Sequence, residues 1–436
     1  MQSNLETLST LERKLSVTVP ATEINSEVEN RLKRLSRTVK MHGFRPGKVP
    51  LKVVAQQYGP QVRQEVLGDA MQKSFGDAVR DKNLRVAGYP RFEAQPLSDG
   101  SSEFQYSATF EIYPEVVVGD ITSASIERPV LEVADAEIDK TLDIMRKQRA
   151  SYVPVERAAK TGDRATIDFR GTIDGAEFQG SSAKDQPVLL GEGRLLPEFE
   201  QNVTGMKAAE SKSFDLRFPD DYHGKEVAGK TARFEVTVKE VGEPKLPEVD
   251  AEFAKSLGVA NGDLAQMRNE IKANLEREVK AKLKARVKDQ VMQALLDATK
   301  LDAPRSLVEM ELQRMQAGAR QELANRGLKV PQEAPLPMEM FEDPAKRRVS
   351  LGLILGEVVK AHQLFAKPEQ VRAMVDEQSQ SYERPEEVVK WYYGDPERLR
   401  EIESVVMEEN VVTWALGQAK VTDKPVDIDE LLGKRS

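Results

Sequence analysis

Residues 43–50 read Gly-Phe-Arg-Pro-Gly-Lys-Val-Pro, and this stretch decides how the first part of the chain folds. Two glycines and two prolines within eight residues prevent regular structure, so the stretch predicts a loop between two helices. The helix before the loop is predicted from apolar residues that form one helical face. They are Ile24, Val28, Leu32, Leu35 and Val39. The helix after the loop covers roughly residues 51–82.

The loop lies in a local concentration of positive charge. Residues 31–52 contain eight lysines and arginines and no acidic residue, although the whole chain has a formal net charge of -8. A basic loop that also carries one aromatic residue, Phe44, is suited to an anionic surface, and RNA is a leading candidate. The alternative is a solvated helix–helix turn that is merely basic.

The same stretch resembles the ribosome-docking signature of the bacterial trigger factor family, Gly-Phe-Arg-x-Gly-Lys-x-Pro, and the resemblance extends along essentially all 436 residues. It implies that Phe44 and Arg45 contact the large ribosomal subunit, both protein and rRNA, beside the nascent-chain exit. Gly43 and Lys48 would support that contact. Many relatives carry a lysine where this chain has Pro46, so the resemblance implies one contact charge fewer here.

Composition limits the chemistry that the chain can perform. The chain has no cysteine and three separated histidines, so we expect no thiol catalysis and no metal site. No P-loop motif is present, which favours ATP independence. We find no signal peptide and no apolar run of 18 residues, so we expect no membrane span and a cytoplasmic location.

At about 150 residues per domain, the length predicts about three domains, and the predicted fold class is multidomain α+β. Residues 1–113 are predicted to be an α+β ribosome-binding domain, and residues 114–150 a connector that packs with the C-terminal body. Residues 151–243 are predicted to be a β-rich domain, for which the resemblance implies an FKBP-like isomerase, and residues 244–436 an all-α domain, for which it implies a chaperone domain with arms.

Local patterns make finer predictions. Apolar and polar residues alternate at 15–19 and at 104–112, which indicates two half-buried strands. Asp174-Gly175 predicts a tight hairpin turn. Asp135 is the predicted N-cap of a helix over residues 136–150. Gly352 and Gly356, four residues apart, are predicted to let two helices approach closely.

One long helix has an unusual apolar pattern. Every fourth residue from Met267 to Leu295 is apolar. Because a helix turns about 100° per residue, the row drifts by about 40° at each step and spirals around the helix. One flat partner cannot bury such a row, so either several elements bury it in turn or part of it stays exposed.

Residues 151–243 resemble the FKBP family of peptidyl-prolyl isomerases. Rotation about an X-Pro bond needs no nucleophile, metal or cofactor, because an apolar pocket can favour the twisted amide. The resemblance implies that the peptide N–H of Leu196 binds the substrate carbonyl and that Phe199 is the pocket floor. The implied pocket residues are Phe169, Phe178, Val188, Leu195, Leu196, Phe199, Tyr222 and Phe234. The alternative for the phenylalanines is plain core packing.

Two positions depart from the drug-binding members of that family. Phe199 stands in place of tryptophan, and Gln179 stands in place of aspartate. Both departures argue against tight macrolide binding, whereas proline isomerisation is compatible with them.

Eight of the thirteen methionines lie beyond residue 245, and methionine suits surfaces that adapt to varied apolar partners. The alternative is ordinary helix core. The resemblance implies a body and two arms that enclose a cradle for unfolded nascent polypeptides, and a homodimer when the protein is free. Roles in protein transport, the cell cycle and cell division come from the resemblance alone.

The sequence therefore predicts an ATP-independent, ribosome-associated chaperone that is also a prolyl isomerase. Two rivals remain at this point. One is a free-standing isomerase without ribosome docking, and the other is a nucleic-acid-binding protein that uses the basic residues 31–52.

Overall fold

The structure is a computed structural model that describes residues 2–42, 44, 47–95, 102–178, 180–193, 195–222, 224, 226–327, 337–380 and 382–433. The chain forms two compact units, each assembled from segments that are distant in sequence. The first unit is Met1–Arg128 with Ala285–Lys424, and the second is Pro129–Lys284 with Pro425–Ser436.

The strands are β1 (Gln2–Thr7), β2 (Glu12–Pro20), β3 (Val86–Ala94), β4 (Glu103–Ile112), β5 (Ser125–Val130), β6 (Ser151–Pro154), β7 (Arg164–Thr172), β8 (Ser182–Leu189), β9 (Ser211–Arg217), β10 (Thr231–Lys245) and β11 (Lys420–Pro425). The helices are α1 (Ala21–Thr38), α2 (Leu51–Asp81), α3 (Asp135–Gln148), α4 (Pro197–Val203), α5 (Ala251–Ser256), α6 (Leu264–Ala298), α7 (Arg305–Asn325), α8 (Glu339–His362), α9 (Pro368–Ser379), α10 (Pro385–Tyr393), α11 (Pro396–Gln418) and α12 (Ile428–Leu432). Within the residues described, no helix is both long and apolar enough to cross a membrane.

The first unit begins with an antiparallel sheet of strand order β1-β2-β4-β3. The predicted alternation is confirmed, since Leu15 and Val17 of β2 are buried and lie opposite Ala108 and Tyr106 of β4. Helices α1 and α2 pack into the same core. The predicted helix–loop–helix arrangement is also confirmed, because α1 ends before residues 43–50 and α2 begins after them.

A carboxylate joins this sheet to α7. Glu111 of β4 accepts hydrogen bonds from the backbone N–H groups of Arg305 and Ser306, at 3.0 and 2.7 Å, and from the Ser306 hydroxyl at 2.6 Å. Gly88 makes room for this contact, because a Cβ there would lie 2.5 Å from Cβ of Ser306. The start of α7 is therefore capped by a residue almost 200 positions earlier in the chain.

Several elements bury the spiral apolar row of α6 in turn, which is one of the two outcomes that its pattern allowed. From Met267 to Val279 the row packs in the second unit, in one core with α3, α5 and α12. From Val287 to Leu295 it packs in the first unit, in a different core with α8 and α11. Leu283, between the two sets, is only partly buried.

The second unit contains a five-stranded sheet of order β6-β10-β7-β8, with β9 also paired to β10. Its core lies between the sheet and the short helix α4. The predicted turn after β7 is confirmed. Asp174 and Gly175 have φ values of 53° and 83°, and Ile173 and Ala176 pair across the turn. Positive φ at both central residues is what a type I′ turn requires.

Two local predictions are wrong, and one strand was not predicted. The N-cap of α3 is Ala134 rather than Asp135, because Glu137 reaches back to accept the N–H of Ala134 at 3.1 Å. Gly352 and Gly356 face open space, and an added Cβ at either would meet no described atom within 4 Å. Strand β11 interrupts the helical region by pairing with β5.

Candidate functional site

A cavity of about 1290 Å³ opens in the second unit between the sheet and α4. It is large enough to hold several residues of a polypeptide, because pockets for drug-sized ligands span about 300–1,000 Å³. The resemblance to the FKBP family placed eight residues in one pocket, and all eight line this cavity: Phe169, Phe178, Val188, Leu195, Leu196, Phe199, Tyr222 and Phe234.

Phe234 of β10 is the centre of the aromatic lining. Its ring lies 5.4 Å from that of Phe199 and 6.3 Å from that of Phe169, and nearly perpendicular to the Phe199 ring. Gly171 lies directly opposite Phe234 on β7, and a Cβ there would come within 2.7 Å of the ring. Edge-to-face contacts of this kind hold a rigid, apolar surface in place.

Two members of this aromatic cluster were missed by the sequence reasoning. Phe218 lines the cavity, and its ring lies 4.8 Å from that of Tyr222. Phe214 of β9 stacks beside Phe234 at 6.2 Å. The signal was available, because Phe214, Leu216 and Phe218 alternate with polar residues as a half-buried strand does.

Most of the lining is apolar, and its polar side chains are Tyr152, Arg164, Gln186, Tyr222 and Glu226. Leu196 is the N-cap of α4, and within the described residues its N–H donates no hydrogen bond. Phe199, one turn later, is buried. Gln179, which departs from the family pattern, and His223, which follows Tyr222 in the chain, lie outside the described residues. The cavity thus offers a largely apolar wall and, at Leu196, a backbone donor without a described partner.

An ion cluster supports the segment that leads into β7. Asp163 is fully buried and accepts hydrogen bonds from the Arg157 guanidinium, at 3.0 Å from Nη2, and from the Lys160 N–H at 2.9 Å. Burial by itself would raise the pKa of Asp163, but these hydrogen bonds outweigh it and hold the pKa below its usual value. Asp163 is therefore a buried anion that stabilises the domain.

The described part of the basic loop has two faces. Phe44 is 40% exposed and Lys48 is exposed, whereas Val49 is buried in the core with α1 and α2. Gly47 adopts φ of 78°, and a Cβ there would lie 3.1 Å from the Arg37 carbonyl oxygen. Gly43, Arg45 and Pro46 lie outside the described residues.

The basic residues before the loop differ in their pairing. Arg31 forms ion pairs with Glu27 and Asp69, and Lys33 pairs with Glu29. Further along the same helix, Arg34 and Arg37 make no ion pair within the described residues. The unpaired positive charge is therefore concentrated toward the loop end of α1.

The eight late methionines divide between core and surface. Met267, Met292 and Met374 are buried, as ordinary core packing predicts. Met310, Met338 and Met340 are exposed by 44%, 61% and 69% of their surface. Met315 and Met407 are half-buried, so the exposed group offers the most surface to an apolar partner.

The five-stranded sheet, the short helix α4 and the aromatic cavity between them define the class of an FKBP-type prolyl isomerase domain. In agreement, the sequence model described as "FKBP-type peptidyl-prolyl cis-trans isomerase" matches residues 155–239. The model described as "Bacterial trigger factor protein (TF)" matches residues 1–145, and that of its C-terminus matches residues 263–417.

Full-length relatives agree with these matches. The trigger factors of Nitrosospira multiformis and Dechloromonas aromatica are 57% and 53% identical over 435 residues, covering 100% of each chain. The trigger factor of Laribacter hongkongensis is 54% identical over 434 residues, covering 99% of this chain and 100% of its own. A solved trigger factor chaperone structure aligns over 96% of this chain and 100% of its own, with 17% identity and a TM-score of 0.47. The assignment rests on the family models and the relatives.

The chain belongs to the trigger factor family. It is a ribosome-associated chaperone with an FKBP-type peptidyl-prolyl cis-trans isomerase domain. The isomerase without ribosome association is the less favoured alternative.

Proposed function

We propose that the cavity is the isomerase site and that its eight predicted lining residues bind the X-Pro segment. The observation that carries this proposal is their convergence on one cavity with an unoccupied N–H at Leu196. The planar amide is more polar than the twisted one, so an apolar wall that excludes water lowers the rotation barrier of about 18–20 kcal/mol. The Leu196 N–H would hold the substrate carbonyl while the bond rotates.

A proline-peptide isomerisation assay on the full chain tests the pocket. We expect Phe199→Ala and Tyr222→Phe to lower kcat/KM, because they remove the proposed floor and one hydroxyl from the residues that line the cavity. Tyr89→Phe is the matched control, since Tyr89 is 84% exposed and lies in the other unit. Full activity of Phe199→Ala would show that the cavity is ordinary core.

We also propose that Phe44 and Lys48, with Gly43 and Arg45, dock the chain on the large ribosomal subunit near the exit tunnel. Support comes from the exposure of Phe44 and Lys48 and from the unpaired cations of α1. Phosphate contacts made by these cations predict that docking weakens as salt rises.

Ribosome co-sedimentation at near-physiological salt tests the docking. We expect the natural chain to pellet with ribosomes and the Phe44→Ala/Arg45→Ala variant to remain in solution. Phe365→Ala is the matched control, because Phe365 is 53% exposed but lies outside the loop. Equal pelleting of all three would make the loop ordinary surface. Equal affinity for isolated RNA would favour the nucleic-acid-binding rival instead.

The remaining parts of the proposal concern the division of labour along the chain. We assign docking to residues 1–113, the connector to 114–150, isomerisation to 151–243 and client shielding to 244–436. The exposed Met338 and Met340 support the client surface. We further propose that the chain works in the cytoplasm without ATP. The implied homodimer of the free chain stays a prediction, which sedimentation equilibrium tests.

A further inference from the structure

Residues 191–196 carry the pocket residues Leu195 and Leu196, and Glu200 of α4 hydrogen-bonds to both ends of this segment. Its side-chain Oε2 accepts the N–H of Gly191 at 3.2 Å, and its own backbone N–H donates to the Leu196 carbonyl oxygen at 3.1 Å. One residue of α4 therefore holds both ends of the segment. Arg194, within the segment, lies outside the described residues.

The Gly191 end is also fixed from the opposite side. Leu190 exchanges backbone hydrogen bonds with the 162–163 turn, donating to the Asp163 carbonyl at 3.0 Å and accepting from Gly162 at 2.7 Å. Gly191 adopts φ of 91°, and a Cβ there would lie 2.3 Å from Cγ2 of Thr161. Glu200 thus connects α4 to an end of the segment that is also held by Leu190 and packed against Thr161.

The second carboxylate oxygen of Glu200 is unusual. Oε1 is buried and has no hydrogen-bond partner within the described residues. A buried acceptor without a partner is costly, so a carboxylate held in this place calls for an explanation in function. Its neighbour Glu198, on the same helix, is exposed and its side chain makes no described hydrogen bond.

We propose that Glu200 is a positioning residue for the isomerase reaction, which aims the Leu196 N–H at the substrate carbonyl by holding the segment 191–196 at both ends. This inference rests on the proposed role of the cavity. Glu200 does not line the cavity, so it acts through Leu196. Loss of the side chain breaks the link between α4 and the fixed Gly191 end, so that the donor at Leu196 loses its alignment.

The expected effect is limited by the one substrate hydrogen bond that Leu196 supplies. A net hydrogen bond corresponds to about five- to tenfold in kcat/KM, or about 1–1.4 kcal/mol. We expect Glu200→Ala to lower kcat/KM by that factor, chiefly through kcat if the bond strengthens as the amide twists.

Three variants separate positioning from charge and from folding. Glu200→Gln keeps an acceptor oxygen for the Gly191 N–H, so we expect it to stay within about twofold of the natural chain. Glu198→Ala removes the same charge from the same helix and should leave kcat/KM unchanged. Equal values for Glu200→Ala and Glu198→Ala, or a Gln variant as slow as the Ala variant, would overturn the proposal.

Coupling to Leu196 is measured with a double variant. Leu196 has φ of -60°, which proline adopts, so Leu196→Pro removes the donor without forcing this angle. If Glu200 acts through this N–H, Glu200→Ala should cause no further loss in the Leu196→Pro background. An additive loss would overturn the inference.

Amide hydrogen exchange, measured by NMR on the full chain, tests the Gly191 hydrogen bond independently of activity. In Glu200→Ala the Gly191 amide should exchange faster, while amides of β7 and β10 keep their protection. Unchanged Gly191 exchange would refute the role of Glu200. Full activity of Phe199→Ala would instead refute the isomerase pocket, so the two failures are distinguishable.

Discussion

Replacement of the buried Asp163 by asparagine should destabilise the isomerase domain. Asp163 is fully buried, and both of its carboxylate oxygens accept hydrogen bonds from Arg157, with the Lys160 N–H as a third donor. Asparagine keeps the shape and one acceptor oxygen. Its NH₂ group, however, faces a guanidinium that can only donate.

The loss of stability in Asp163→Asn depends on whether Arg157 keeps a partner. Removing one partner of a buried ion pair costs about 3–5 kcal/mol when the other charge is stranded. Arg157 is not stranded here, because its side chain is 34% exposed and Nη2 also donates to Glu243 at 3.0 Å. We therefore expect a loss of about 2 kcal/mol in the free energy of unfolding, at the lower end of such effects.

The same contacts make the domain sensitive to acid. Because the folded pKa of Asp163 is lowered, its contribution to stability is complete above the unfolded pKa of about 3.9. The contribution is lost as the pH falls through the lower folded pKa. The gap in stability between the natural chain and Asp163→Asn should therefore be full at pH 7 and shrink below about pH 4.

Hydrogen exchange of the β7 and β10 amides in the full chain measures this prediction, because it reports the opening of one domain at a time. A loss of 2 kcal/mol corresponds to roughly 30-fold faster exchange. Asp185→Asn is the matched control, since Asp185 is 70% exposed and its surface pair with Lys239 should contribute less than about 1 kcal/mol. Equal exchange in both variants, or a gap that does not narrow in acid, would refute the reasoning.

Three further predictions concern other parts of the fold. Gly171→Ala should push the Phe234 ring out of the cavity wall, because its Cβ would lie 2.7 Å from that ring; we expect a loss of about 1–3 kcal/mol in stability and reduced isomerase activity, read by thermal unfolding and a proline-peptide assay. Glu111→Ala should uncap α7 at a cost of about 0.5–2 kcal/mol, visible as faster exchange of the Ser306 amide. Leu295→Ala should cost about 2–5 kcal/mol in the core that α6 shares with α8 and α11, measured by urea unfolding. The Gly171 contact would be contradicted if Gly171→Ala kept full activity and an unchanged unfolding temperature. An unchanged exchange rate of the Ser306 amide in Glu111→Ala would contradict the cap, and an unchanged urea midpoint of Leu295→Ala would contradict the core contact.

Local features of the fold follow from the sequence by itself. The alternation at 15–19 and 104–112 predicted two strands, and the glycines and prolines of 43–50 predicted the break between α1 and α2. Asp174-Gly175 predicted its turn. These signals are local, because period and turn chemistry depend on the backbone geometry of a few neighbouring residues.

The residues that line the pocket were predictable in part. The eight residues inferred from the family resemblance all line the cavity. Phe218 and Phe214 were missed, although their strand has the expected alternation. Alternation tells which face of a strand is buried, but not which other rings that face will meet.

Only the tertiary structure decided which distant groups meet. Glu111 caps α7, Glu200 holds the segment 191–196, and Asp163 binds Arg157, yet each looks like any other acidic residue in the sequence. The spiral row of α6 required several partners, and packing alone determined that two separate cores supply them. A side chain's partner depends on how whole elements pack, because contacts between residues far apart in sequence form only when the chain closes on itself.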